Sequence, residues 1–295
     1  MWRRCNDMHV KLQAALTLLK PKLKDLLLNP GIFIAAAVST TLGLVLVKGF
    51  TTIVGSGRLL FEQNPLYFLI LRTVEPLFGE TVFTKLFSEG PFLFALIIAL
   101  APFFLYILIF SAHSLGYEKN SGVVRLVSFG PADYSTFSLS NIMRDMIITA
   151  GFMLYLLIFF LLLSGYFGLL LGARFWVCYL LFFFLFPALL SLIPFVTALT
   201  HSPGSGVMLL IIITAALFIV DVSSFVIAGM YIETLTELLS SVFRWISPFS
   251  YFRFGLTAVE GAGLPALAAG IAALTAFTGT ILFLVSLIER KKGTV

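Results

Sequence analysis

From Phe175 to Val220 the chain carries no Asp, Glu, Lys or Arg, and this run decides what it can fold into. A hydrocarbon core about 30 Å thick takes roughly 20 helical residues, so the run is too long for one crossing and too apolar for a soluble segment. The polar, turn-rich His201-Ser202-Pro203-Gly204-Ser205-Gly206 divides it in two. Composition agrees: 60% of the 295 residues are hydrophobic and 11% charged, against about 45–50% and about 25% in an ordinary soluble domain. Mean hydropathy is +1.06, and soluble globular folding is excluded. A chain in lipid must satisfy its backbone in helices or a closed barrel. Long continuous apolar runs, rather than short alternating ones, choose the helices. The expectation is an all-α membrane protein.

Six stretches fit. They lie at about 31–50, 92–112, 146–171, 175–200, 207–230 and 264–288, giving a transmembrane domain over 30–295. Pro30 opens the first, where its missing N–H costs nothing. Before it, Leu12, Leu16, Leu19, Leu23 and Leu26 recur at helical spacing beside Lys11, Lys20, Lys22 and Lys24. That predicts an amphipathic helix within 1–29 lying on the membrane surface, with Pro21 kinking it or starting its second half. No apolar core follows Arg3 and Arg4, as a cleaved signal would require.

Charge sets the expected orientation. Lys and Arg number twelve on the side of 1–29, 113–145 and the C-terminal tail, against seven on the other, so both termini are expected in the cytoplasm. The two long outer connections are rich in aromatic residues, among them Phe61, Tyr67, Phe78, Trp245, Phe249 and Tyr251. Such residues suit short helices at headgroup level. The segment from Tyr231 to Phe243 could enter the bilayer and return if protein covers its backbone.

Catalytic chemistry is sparse. There is no phosphate loop of the G-x-x-x-x-G-K-[ST] form, no nucleophile elbow, and no metal-ligand spacing around His9, His113 or His201. Cys5 and Cys178 form no disulfide framework. Neither a catalytic nor a metal site is expected, and the positive charge is explained by topology rather than by nucleic acid. Asp221, deep in the fifth stretch, is a candidate substrate-pathway residue, because a carboxylate there must face protein or water. Gly168 and Gly172, with Ala266, Gly270, Ala273 and Gly279, invite close helix contacts. Pro102, Pro187 and Pro194 predict bends.

The most informative segment joins the second and third stretches. It reads Tyr117-Glu118-Lys119-Asn120-Ser121-Gly122-Val123-Val124-Arg125-Leu126-Val127-Ser128-Phe129-Gly130-Pro131-Ala132. Gly122 and Pro131 bracket a helix of about two turns, with Val123, Leu126 and Val127 on its apolar side. Glu118, Gly122, Leu126 and Pro131 keep the spacing of the cytoplasmic loop in ATP-binding-cassette exporter permeases of the type 2 class, which this sequence resembles. Ile246-Ser247-Pro248-Phe249-Ser250-Tyr251-Phe252 resembles that family's Ser-Pro-Phe segment. Val123 stands where the family usually has threonine. Asn141 stands where it often has lysine, with Arg144 close by.

The resemblance implies six transmembrane helices, an interfacial N-terminal helix and a short cytoplasmic coupling helix, in a prokaryotic cytoplasmic membrane. It implies a permease subunit, not itself an enzyme, exporting a hydrophobic or amphipathic substrate. Two separate ATPase subunits would bind ATP and Mg, this chain holding no cofactor, and a second permease chain, identical or homologous, would complete the unit among membrane lipid. Coupling would fall to Glu118, Gly122, Val123, Arg125, Leu126 and Pro131. The cavity, lined by the second and fifth helices, would offer Phe94, Phe103, Phe104, Phe218 and Phe225 beside Asp221. A secondary transporter using Asp221 and a non-catalytic membrane scaffold are the alternatives.

Overall fold

The computed structural model describes residues 2–55, 91–123, 134–200, 202–226 and 246–291. Among these there is no strand, and five helices are long and apolar enough to cross a membrane, at Pro30–Thr51, Phe92–Asn120, Thr136–Phe167, Ala173–Leu199 and Gly263–Ile288. The chain is thus an all-helical protein with the composition of an integral membrane protein. A shorter apolar segment, Pro203–Phe218, lies within a further helix.

Helix α1 runs Trp2–Leu27, continuous through Pro21. After a link of two residues α2 begins at Pro30 and runs to Gly55. Asn29 makes the corner: its Oδ1 accepts from the Gly31 N–H at 2.9 Å, satisfying one donor that a helix start leaves open. Helix α3 is Phe92–Asn120 and α4 is Tyr134–Phe167. Both extend past the charge-free stretches into polar sequence, because a helix does not end where the hydrocarbon does. Helix α5 is Ala173–Leu190 and α6 Leu192–Leu199, parted only at Ser191 between Pro187 and Pro194. Helix α7 is Pro203–Val226, α8 Pro248–Leu256, and α9 Gly263–Lys291, with a 3-10 turn at Thr257–Glu260 before α9.

The aromatic residues register the bundle. Phe160 of α4 meets Phe92 at the start of α3 and Phe175 at the start of α5, edge to face at 6.1 and 6.0 Å. Side-chain contacts at the opposite end join the end of α3 to the start of α4, so neighbours run antiparallel. Between α4 and α5 lies a cavity of about 70 Å³ lined by Met146, Thr149, Met153, Phe183, Phe186 and Pro187.

Glycines set two of the contacts. Gly270 of α9 faces Gly255 of α8 so closely that a Cβ would stand 2.8 Å from the Gly255 Cα. This is the close approach expected of Gly270 from sequence. Gly168 and Gly172 are different. Gly168 has φ +65° just past the end of α4 and Gly172 is the N-cap of α5. They bound a turn and do not pack two helices, because a left-handed residue ends a helix. The Ser-Pro-Phe segment starts α8: the Ser247 Oγ accepts from the Phe249 N–H and donates to the Leu217 carbonyl at 3.0 Å, with Pro248 as first residue.

Candidate functional site: a polar hub at the end of α3

The last two turns of α3 collect contacts from four other helices. Leu19, Lys22 and Leu26 share one face of α1 by their three- and four-residue spacing. The leucines are buried against the bundle, so Lys22 is carried inward with them. Its Nζ donates to Asn141 Oδ1 of α4 at 2.9 Å and to Glu118 Oε2 of α3 at 3.3 Å. It also stands 3.3 Å over the Phe137 ring, a cation–π contact. Asn141 Nδ2 donates in turn to the Phe137 carbonyl at 3.4 Å. Burial pushes the Lys22 ammonium down to about 8, Glu118 opposing that shift.

One turn further along α4, the adjacent Arg144 and Asp145 form a second pair, each side chain only 3% exposed. Arg144 Nε donates to Asp145 Oδ1 at 2.8 Å, and its Nη2 donates to Ser111 Oγ of α3 at 3.0 Å. The guanidinium also faces Phe110 at 5.9 Å. Two cations and two carboxylates therefore sum to zero, which is how charge is tolerated in such a place.

Two further contacts fasten the same turns. Lys119 Nζ donates to the Thr197 carbonyl at 2.6 Å, placing a cation at the C-terminus of α6 where the helix dipole is negative. Gly116 lies against α7, where a Cβ would stand 2.9 Å from Pro203 Cα. Helix α3 then closes with the Ser121 N–H donating to the Tyr117 carbonyl at 2.9 Å. Gly122 follows at φ +79°, a left-handed stop that turns the chain out of the helix axis. The next residue, Val123, is exposed.

Among the residues expected to couple, Glu118, Gly122 and Val123 thus stand at this corner, while Arg125, Leu126 and Pro131 lie outside the described residues. The expected pathway phenylalanines sit elsewhere. Phe94 is buried, Phe103 stacks on Phe152 at 3.6 Å, and Phe104 on Phe186 at 4.4 Å; these contacts lie within the chain's own core. Phe218 is half-buried, edge-on to Phe249 at 5.5 Å. Asp221 and Phe225 belong to α7, their side chains outside those described.

Sequence reasoning counted Lys22 among surface lysines and did not pair Arg144 with Asp145. The signal for Lys22 was its register with Leu19 and Leu26; for the buried pair there was none beyond adjacency. Among the described residues no cluster of His, Cys, Asp and Glu could hold a metal. Compared with family models, curated proteins and solved structures, the chain finds no match in any of the three.

Proposed function

We propose that this chain is the membrane permease subunit of an ATP-driven exporter of the type 2 class, working with separate ATP-binding-cassette ATPases and a second permease chain. The observation that carries the reading is the hub itself. Immediately before Gly122 and the segment to Pro131, α3 is bonded to α1 through Lys22 and Glu118, to α4 through Ser111 and Arg144, and to α6 through Lys119. A push on that segment is delivered to several helices at once, which is what conversion of ATPase closure into rigid-body helix motion demands. Lys22 also supports the reading in a second way. It brings an ammonium to Asn141, the position where the resembled family often carries a lysine of its own.

In this reading the hub faces the cytoplasm, with Arg125 and Glu118 as polar contacts and Val123 and Leu126 as the apolar side of the coupling helix. Docking of a short helix into a partner groove is fixed in orientation by such charge-assisted bonds. The cargo is hydrophobic or amphipathic, and Asp221 stays a candidate in its path.

The test is to purify the chain with an ATP-binding-cassette ATPase encoded beside it and measure co-purification and ATP turnover in lipid. Leu126→Asp, correctly inserted, is expected to lose both, since it buries an unpaired charge at the interface. Arg125→Ala is expected to weaken both. Normal assembly and turnover in Leu126→Asp would remove this loop as the coupling element.

A further inference from the structure

Helix α1 has a second face, and nothing in the hub uses it. Ala15, Leu19 and Leu26 are buried, and Lys22 with them reaches the hub. On the other side Leu16 and Leu27 are each 48% exposed, and Lys20 and Lys24 are exposed between them. At about 100° per residue these four fall within an arc of about 80°, and Lys22 projects from the opposite side. Gln13 falls within this arc and Thr17 about 20° beyond it; the arc holds no acid, and Asp25 lies about 100° round the helix from Lys24.

Leucine and lysine interleaved on one exposed face fit one environment best. Lysine stems lie along apolar matter while their ammonium groups reach polar headgroups. Exposed apolar side chains continue along the chain from this face into α2. Leu28 is 69% exposed, and past the Asn29 corner Phe33 and Ile34 of α2 are 63% and 65% exposed. The two-residue connection holds α1 at the level where α2 enters the hydrocarbon.

We propose that the Leu16–Lys20–Lys24–Leu27 face of α1 binds anionic phospholipid headgroups, and that lipid charge thereby sets how firmly α1 holds the Glu118 hub. The charges are complementary, and the leucines between them favour a lipid surface over an acidic protein. Lys22 on the far side makes α1 a strap between bilayer and hub, so lipid bound outside restrains α3 inside. The inference extends the proposed function to its regulation, but it concerns this chain alone.

The test is hydrogen exchange on the full chain in nanodiscs of phosphatidylcholine, with or without phosphatidylglycerol. In the wild type the α1 amides are expected to exchange about thirtyfold more slowly in the anionic discs, the effect of two lysines near a charged surface. High salt should erase the difference. Lys20→Gln with Lys24→Gln should lose it. The amides of residues 115–120 should slow in parallel in the wild type and not in Lys22→Met, whose α1 keeps its lipid response. Equal α1 exchange in both discs, or a difference that survives in the double variant, overturns the proposal. Slower α1 exchange with no change at 115–120 overturns the transmission. Protection that requires an added acidic protein assigns the face to protein docking instead. No ATPase enters the measurement, so its failure is distinct from failure of the exporter reading.

Discussion

Lys22 and Glu118 are 96 residues apart in sequence and 3.3 Å apart in space, one on a helix along the bundle's edge and the other at the end of a membrane-crossing helix. Their bond has a pH signature. The folded chain releases the Lys22 proton near 8, against an ordinary 10.5, so between about 8 and 10.5 the unfolded chain binds more protons. Stability from this group therefore rises with pH across that window and is lowest below 8, where the ammonium is charged in both states. Thermal unfolding in detergent should show this increment in the wild type and not in Lys22→Met. Glu118→Gln, which leaves the cation without its counter-charge, should lower stability by about 1–3 kcal/mol and do so more than Lys22→Met.

Asp145 tests the buried pair. With both side chains 3% exposed, Asp145→Ala leaves a guanidinium without its carboxylate, at an expected cost of about 3–5 kcal/mol. Arg144→Met with Asp145→Leu removes both charges and should recover most of that loss. Folded yield after size-exclusion chromatography, with unfolding temperature, separates the two variants. Equal loss in both would mean that the pair's charge is not what the site depends on.

Gly116, like Gly270, makes a contact with no room to give. A Cβ there meets the Pro203 backbone at 2.9 Å, whereas one at Gly151 meets nothing within 4 Å. Gly116→Val is expected to lower stability by about 1–3 kcal/mol through overpacking. Gly151→Ala should be neutral or stabilising by up to about 1 kcal/mol, since alanine is the better helix former. Unfolding temperatures of the two variants decide it.

Orientation has a direct measurement. Single cysteines at Lys20 and Glu80, in a background lacking Cys5 and Cys178, should react with a membrane-impermeant reagent from opposite sides. The expectation rests on the twelve-to-seven division of Lys and Arg. Reaction from the same side would overturn the arrangement in which the hub faces the cytoplasm.

The helices were legible because apolar length and proline placement act locally. Pro30 starts α2, and Ser247 with Pro248 starts α8. The leucine repeat of α1 identified a face, and Leu19 and Leu26 bury it, while Leu16 falls at its edge and is exposed. The hub was not legible as a whole. Asn141 and Arg144 drew notice as departures from a pattern, yet nothing local told that Lys22 would reach Asn141 across 119 residues. A side chain's periodicity fixes the direction it faces along its own helix, and the partner waiting there is set by tertiary packing. Gly168 and Gly172 show the converse, since a spacing that serves helix contact equally well bounds a turn.

The Asn29 corner also makes α1 a lever. With 26 residues, α1 is about 39 Å long, and its root is tied to the first turn of α2 by the Asn29 side chain and a two-residue link. If α2 and the helices that hold Ala15, Leu19 and Leu26 tilt together by about 10° about that corner, the far end of so long an arm sweeps about 7 Å at a rise of about 1.5 Å per residue. Small rearrangements within the hydrocarbon would thus be magnified at the surface, and a distance probe near the start of α1 would register them as a larger displacement than a probe placed inside the bundle.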